Sequence, residues 1–153
     1  MKIPFVIKAL AARTASKDPL QAFTWTISIP GMGTGEIGFQ KCSGLSEEVD
    51  VAEYDESGYD YVHKLPGKRK FGEVTLEKGV YADNDMKTYL EKAFTDTNFR
   101  STVVIKHKDR MGNIKRTYSL NEAWCSKWEA ADLDASSGDV AIEKMTLVYE
   151  YIS

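Results

Sequence analysis

At 153 residues, with 42% hydrophobic and 28% charged residues, the chain is long enough for one domain with a single core, too polar to be a membrane-spanning protein and too apolar to be disordered. Its formal net charge of −3, with both signs spread along the chain, excludes the basic field of a general nucleic-acid binder. The two cysteines, Cys42 and Cys125, lie in apolar, strand-like surroundings and read as buried free thiols.

The chain opens on Met1-Lys2-Ile3-Pro4-Phe5-Val6-Ile7-Lys8-Ala9-Leu10. Pro4 and Lys8 cut this apolar run below the length of a secretory core or a bilayer span. Residues 1–20 are therefore expected to form an N-terminal interaction arm with no membrane anchor, ahead of a folded domain at 21–153. Residues 23–29 alternate strictly, with Phe23, Trp25, Ile27 and Ile29 on one face and Thr24, Thr26 and Ser28 on the other, which predicts a strand. A glycine-rich turn at 30–35 and a second run at 36–41 predict a hairpin with it. Gly31, Gly33, Gly35 and Gly38 would cradle a phosphate only if they opened a helix with Lys and Ser or Thr behind them; a strand follows instead, so they read as turn chemistry.

Residues 39–80 organise the rest. They begin with Phe39-Gln40-Lys41-Cys42-Ser43-Gly44-Leu45, a strand, and pass into an acidic, tyrosine-rich excursion at 46–70. A turn is expected at Pro66-Gly67, then a strand at 71–80 with Val74 and Leu76 inward and Glu73, Thr75 and Glu77 outward. Val49, Val51 and Tyr54 stand on a segment too polar to hold a core of its own, and exposed apolar groups in a row predict an interface.

After residue 80 the period changes. Asp83 is the expected N-cap of a short helix whose apolar stripe is Met86, Tyr89, Leu90, Ala93 and Phe94. Residues 102–107 and 114–120 predict a hairpin turning at Gly112-Asn113, its tip crowded by Lys106, His107, Lys108, Arg110, Lys115 and Arg116. A further strand is expected at 123–128, a loop at 132–139 and a last strand at 140–152. In that last strand the apolar positions change phase, so a bulge is expected near Lys144. The fold class is mainly β (α+β): a small antiparallel β-barrel or two packed sheets, with one short α-helix covering an open edge.

Catalytic constellations are missing from the sequence. His63 and His107 have no metal-like spacing to cysteine or carboxylate, no nucleophile motif occurs, and Asp55 and Glu56, adjacent on an extended segment, point apart. A non-enzymatic protein without metal or cofactor is expected.

Cys42-Ser43-Gly44-Leu45, Val51-Ala52-Glu53-Tyr54, Leu65-Pro66-Gly67-Lys68-Arg69-Lys70, the run from Val74-Thr75-Leu76 to Lys78-Gly79-Val80, and Ser137-Gly138-Asp139-Val140-Ala141-Ile142-Glu143-Lys144-Met145-Thr146-Leu147 follow one another in family order. Over residues 21–152 the chain thereby resembles the tail tube proteins of contractile phages, together with the inner-tube proteins of contractile injection systems and R-type bacteriocins. The resemblance implies a structural subunit hexamerising into a continuous β-barrel ring. Such rings stack into a conduit for DNA or effector cargo that sheath contraction drives through a target envelope.

Residues 46–70 would correspond to the family's stacking loop, which makes Leu45, Val49, Val51, Tyr54, Tyr59, Tyr61, Leu65, Pro66, Lys68 and Arg69 the expected contacts between subunits or rings. Lys108 and Arg110 are candidates for an electrostatic contact with the acidic half of that loop. Implied partners are further copies in a homo-hexamer and in stacked rings, the tail sheath protein, baseplate and tube-capping proteins, and a tape measure protein or other cargo in the lumen. DNA would be only a transient lumen cargo. The expected location is a virion tail or contractile injection particle assembled in the bacterial host cytoplasm. Thr24, Thr26 and Ser28, or Glu73, Thr75 and Glu77, are the candidate lumen-facing residues. The alternatives are a tube-initiating ring of the baseplate and a secreted type VI-like ring carrier protein.

Overall fold

The computed structural model describes residues 20, 22, 24–33, 35–80 and 85–153. In chain order the elements are β1 (Trp25–Ser28), β2 (Lys41–Ser43), β3 (Glu47–Tyr54), β4 (His63–Phe71), β5 (Val74–Gly79), α1 (Asp85–Thr95), β6 (Ser101–Lys108), β7 (Ile114–Glu129), β8 (Ile142–Val148) and β9 (Tyr151–Ile152). Residues 1–19, Phe23 and the expected N-cap Asp83 lie outside the described residues.

The architecture turns on β7. Its first half pairs antiparallel with β6 and β9, and its second half, from Trp124, pairs with β8. The switch falls at Glu122, whose φ of 54° makes it the one non-glycine residue with positive φ among those described, a left-handed conformation that bends the strand. Two sheets therefore share one long strand: β1-β6-β7 with β9 on one side, and β7-β8-β5-β2 on the other. This realises the two packed sheets of the sequence reading, except that residues 123–128 continue β7 instead of starting a new strand.

The core lies between the sheets. Ile27, Ile29, Val103, Ile105 and Leu120 face Val74, Leu76, Cys125, Met145 and Leu147, and Met86, Tyr89 and Leu90 of α1 complete the cluster. Strand alternation explains this selection, since residues two apart share a face: in β5, Val74 and Leu76 are buried while Thr75 and Glu77 are partly exposed. Cys42 and Cys125 are free thiols, each pushed up to about 11 by burial.

Four local expectations are corrected. Residues 36–41 do not return as a full partner of β1; Ile37 alone bridges Ile27, and β2 pairs with β5 instead. The cause lies in the turn: Met32 is fully buried, so the chain folds over the core end and cannot reverse tightly against β1. Pro66-Gly67 is not a turn. It lies inside β4, opposite a register shift between Val49 and Val51, and a bulge is one of the few places where a strand tolerates proline.

The reversal instead uses residues 55–62, and the segment expected as one strand at 71–80 divides into the end of β4 and β5. Finally, β8 keeps one phase through Met145, Leu147 and Tyr149, all buried, with unbroken pairing to β5 across Lys144. Val140, which suggested the phase change, stands exposed in the preceding loop, and the irregularity falls on β7 between Cys125 and Lys127.

Candidate assembly interface

The excursion at 46–70 is a two-stranded ribbon, β3 against β4, separate from the main sheets. It is anchored at its root. Gly72 N donates to Ser46 O at 3.1 Å, Tyr149 Oη to the same carbonyl at 3.5 Å, and the Phe71 and Tyr149 rings lie 6.1 Å apart. Leu45 is part of this root, half-buried against the core.

Beyond the root almost every ribbon residue is exposed. Cross-strand partners share a face. The register Val49↔Arg69 and Val51↔Pro66 therefore puts Val49, Val51 and Pro66 on one face, whereas Ala52↔Leu65 and Tyr54↔His63 put Leu65 and Tyr54 on the other. The expected single apolar row is thus split, and both faces of the ribbon present apolar groups to solvent, Val51 at 62% and Leu65 at 51% exposure. A ribbon of this kind has no core of its own and is only marginally stable when isolated.

At the free end, Tyr54, Tyr59 and Tyr61 surround His63. Tyr54 stacks on the imidazole at 5.0 Å between ring centres, while Tyr59 and Tyr61 meet it edge-on at 4.8 and 5.3 Å. Glu56 approaches His63 Nε2 at 3.5 Å. The sequence reading named the tyrosines but missed the histidine at their centre. The signal was there: His63 pairs directly across from Tyr54 once the reversal is set at 55–62.

The ribbon largely neutralises its own charges. Arg69 Nε donates to Glu47 at 2.6 Å and its guanidinium lies over Phe71, Lys70 pairs with Asp50 at 2.8 Å, and Lys64 with Glu53 at 3.5 Å. The hydrogen bond from Lys70 to Asp50 raises the pKa of that lysine. Lys68 makes no ion pair among the described residues.

The basic hairpin tip behaves similarly. Glu36 binds Lys108 at 2.8 Å and Lys106 at 3.2 Å, and these contacts, Lys108 first, hold its carboxyl down to about 2. Asp109 accepts from the Asn113 and Met111 amides, both at 2.9 Å, and pairs with Lys115 at 3.6 Å. Arg110 is exposed and makes no ion pair among the described residues. Within one chain β6, which ends at Lys108, shares no substantial packing with the ribbon.

The two ends of the strand path, β1 and β2, are not paired with each other. Trp25, Cys42, Leu45, Ile105, His107 and Tyr118 line a cavity of about 140 Å3.

This arrangement, an open strand path with a projecting ribbon, has relatives. The family model of the T4-like virus tail tube protein gp19 matches residues 21–153. The chain belongs to this tail tube family. As a tail tube protein it is a structural component of a phage tail or contractile injection particle.

Among solved structures, the tube protein is similar to a chain of the PVC sheath–tube complex, an extracellular contractile injection system in its extended state. The identity is 23% and the TM-score 0.79, over 91% of this chain and 93% of that one. It is also similar to a chain of the anti-feeding prophage baseplate, at 23% identity and a TM-score of 0.78 over 89% and 95%. Hcp1 from Flavobacterium johnsoniae is a more distant match, at 17% identity and a TM-score of 0.51 over 86% and 94%. No curated protein sequence matches the chain. At these identities the likeness to the solved structures is one of fold.

Proposed function

We propose that this tube protein builds the inner tube of a contractile tail or injection particle as six-subunit rings that stack on one another. The observation that carries the reading is the combination of two strand-path ends, β1 and β2, whose outer edges pair with no further strand among the described residues, with a ribbon whose two faces both carry exposed apolar side chains. Unpaired edges invite pairing with another chain, and rotational closure of a head-to-tail contact uses up all of them in a ring. The ribbon, through Val49, Val51, Tyr54, Tyr59, Tyr61, Leu65, Pro66 and Lys68, then lies between copies, where both of its faces are covered. The domain at 21–153 forms the ring and residues 1–20 the arm.

In this reading the partners are further copies of the chain, a tail sheath protein around the tube, and baseplate and cap proteins at its ends, as in the particles that hold the similar chains. DNA, a tape measure protein or an effector passes through the lumen, assembly takes place in a bacterial host cytoplasm, and the subunit does no chemistry. The tube-subunit reading is favoured over a type VI-like carrier by the closer fold match, a TM-score of 0.79 against 0.58 for a type six secretion system protein.

Negative-stain electron microscopy of the purified chain, with light scattering on the same sample, tests the reading. Sixfold rings or stacked tubes are the expected result. A chain that stays monomeric when concentrated and when co-expressed with its sheath and baseplate proteins overturns it.

A further inference from the structure

Val80, Met86, Leu90, Phe94 and Trp128 line an open groove of about 600 Å3 between α1 and the end of β7, with Lys87, Glu91 and Glu143 on its rim. Phe94 and Trp128 are 53% and 42% exposed. The helix stripe predicted from the sequence thus divides, Met86 and Leu90 entering the core and Phe94 standing in the groove. Trp128 is held as a groove wall by its Nε1, which donates to Glu143 at 3.1 Å. Contiguous exposed apolar surface of this kind marks a docking site, and the ribbon and sheet edges of the tube reading do not use it.

The occupant that fits is a short apolar strip flanked by cations, which would lay its side chains along the groove and its charges on Glu91 and Glu143. The chain carries one outside the described residues: Ile3, Phe5, Val6 and Ile7, between Lys2 and Lys8. Its tether is long enough. Trp25 pairs with His107, which pairs with Arg116, so Trp128, further along the same strand, lies at most about 40 Å from the start of β1. Residues 8–22, when extended, span up to about 50 Å.

We propose that the groove seats residues 3–7 of the N-terminal arm, with Phe5 against Phe94 and Trp128, and with Lys2 and Lys8 on the rim carboxylates. The arm thereby clamps α1 of its own subunit. This inference goes beyond the tube reading and stands without it.

The test is disulfide trapping in the full chain. Phe5→Cys is combined with Lys87→Cys or Glu91→Cys on the groove rim, or with Met111→Cys at the β6–β7 tip. The tip is the nearer control, because Lys108 at its base hydrogen-bonds Thr24. Cross-links at the rim are expected at least about tenfold faster than at Met111 because seating raises the effective concentration, and Trp128→Ala should reduce them to the Met111 level without changing the far-ultraviolet circular dichroism. A cross-linked monomer supports the proposal; a cross-linked dimer, which would give the groove to a neighbouring copy's arm, overturns it. Equal rates at all three positions overturn it. So does a rim thiol that becomes protected from alkylation only when sheath protein is added, which would give the groove to the sheath.

Discussion

Gly44 holds φ at +88°, and a Cβ there would run into the Glu73 carbonyl; a Cβ on Gly72 would collide with the Ser46 hydroxyl and come within 2.9 Å of Gly44 O. Two glycines thus let two backbone segments, 44–46 and 72–74, pass closely where the ribbon leaves the body. Gly44→Ala combines left-handed strain with a backbone collision and is expected to cost about 2–3 kcal/mol, read as a lower urea midpoint; an unchanged midpoint would mean that the root is not packed this way.

Glu36 makes a separate prediction. Its folded pKa, about 2, lies below the unfolded value of 4.5. The stabilisation it provides is therefore complete above about pH 4.5 and fades as the pH falls toward 2. Thermal melts should show Glu36→Gln less stable than the parent at pH 6 and equal to it near pH 2. A constant gap across that range would assign the effect to packing and not to charge.

At the scale of elements, strands with one buried face were readable because alternation is local: Ile27 in β1, Val74 and Leu76 in β5, and Val103 and Ile105 in β6 all follow it. What alternation could not reveal was which strand pairs with which. β2 and β5 pair across the whole ribbon, and the bend at Glu122 that lets β7 serve both sheets has no residue signature, since glutamate is not a left-handed residue by habit. Pro66-Gly67 misled for a physical reason, because proline and glycine suit a bulge as well as a turn.

Interface character was legible in the ribbon from Val49, Val51 and Tyr54, but their division between two faces emerged only from the register. That division is testable. Val51→Asp and Leu65→Asp each place a charge on one exposed face, so neither should shift the melting temperature by more than a few degrees. Each alone should abolish stacked tubes if both faces are covered in the assembly. Loss of tubes with only one variant would leave the other face open to the lumen or to solvent.

For the whole molecule, the open strand path and the thinly rooted ribbon imply an uneven distribution of stability. β5, β6, β7 and β8 pair on both sides and bury the core, whereas among the described residues β1 is covered on its outer edge only by the Ile37 bridge, β2 pairs solely with β5, and the ribbon pairs only with itself. Amide exchange follows local opening, so the isolated chain should protect β5, β6, β7 and β8 to nearly the global limit and leave β1, β2, β3 and β4 fast. Ring closure and stacking would pair and cover those same segments.

Hydrogen exchange on the isolated and assembled forms of the full chain should therefore show slowing by at least about tenfold, equivalent to 1.4 kcal/mol, confined to β1, β2 and the ribbon. The change is expected where the sheet ends and where apolar side chains stand in water. Slowing that appears instead across α1 and the end of β7, with the strand edges unchanged, would mean that subunits meet through the helix face. The edge-pairing geometry proposed for the ring would then be wrong, even if rings are seen.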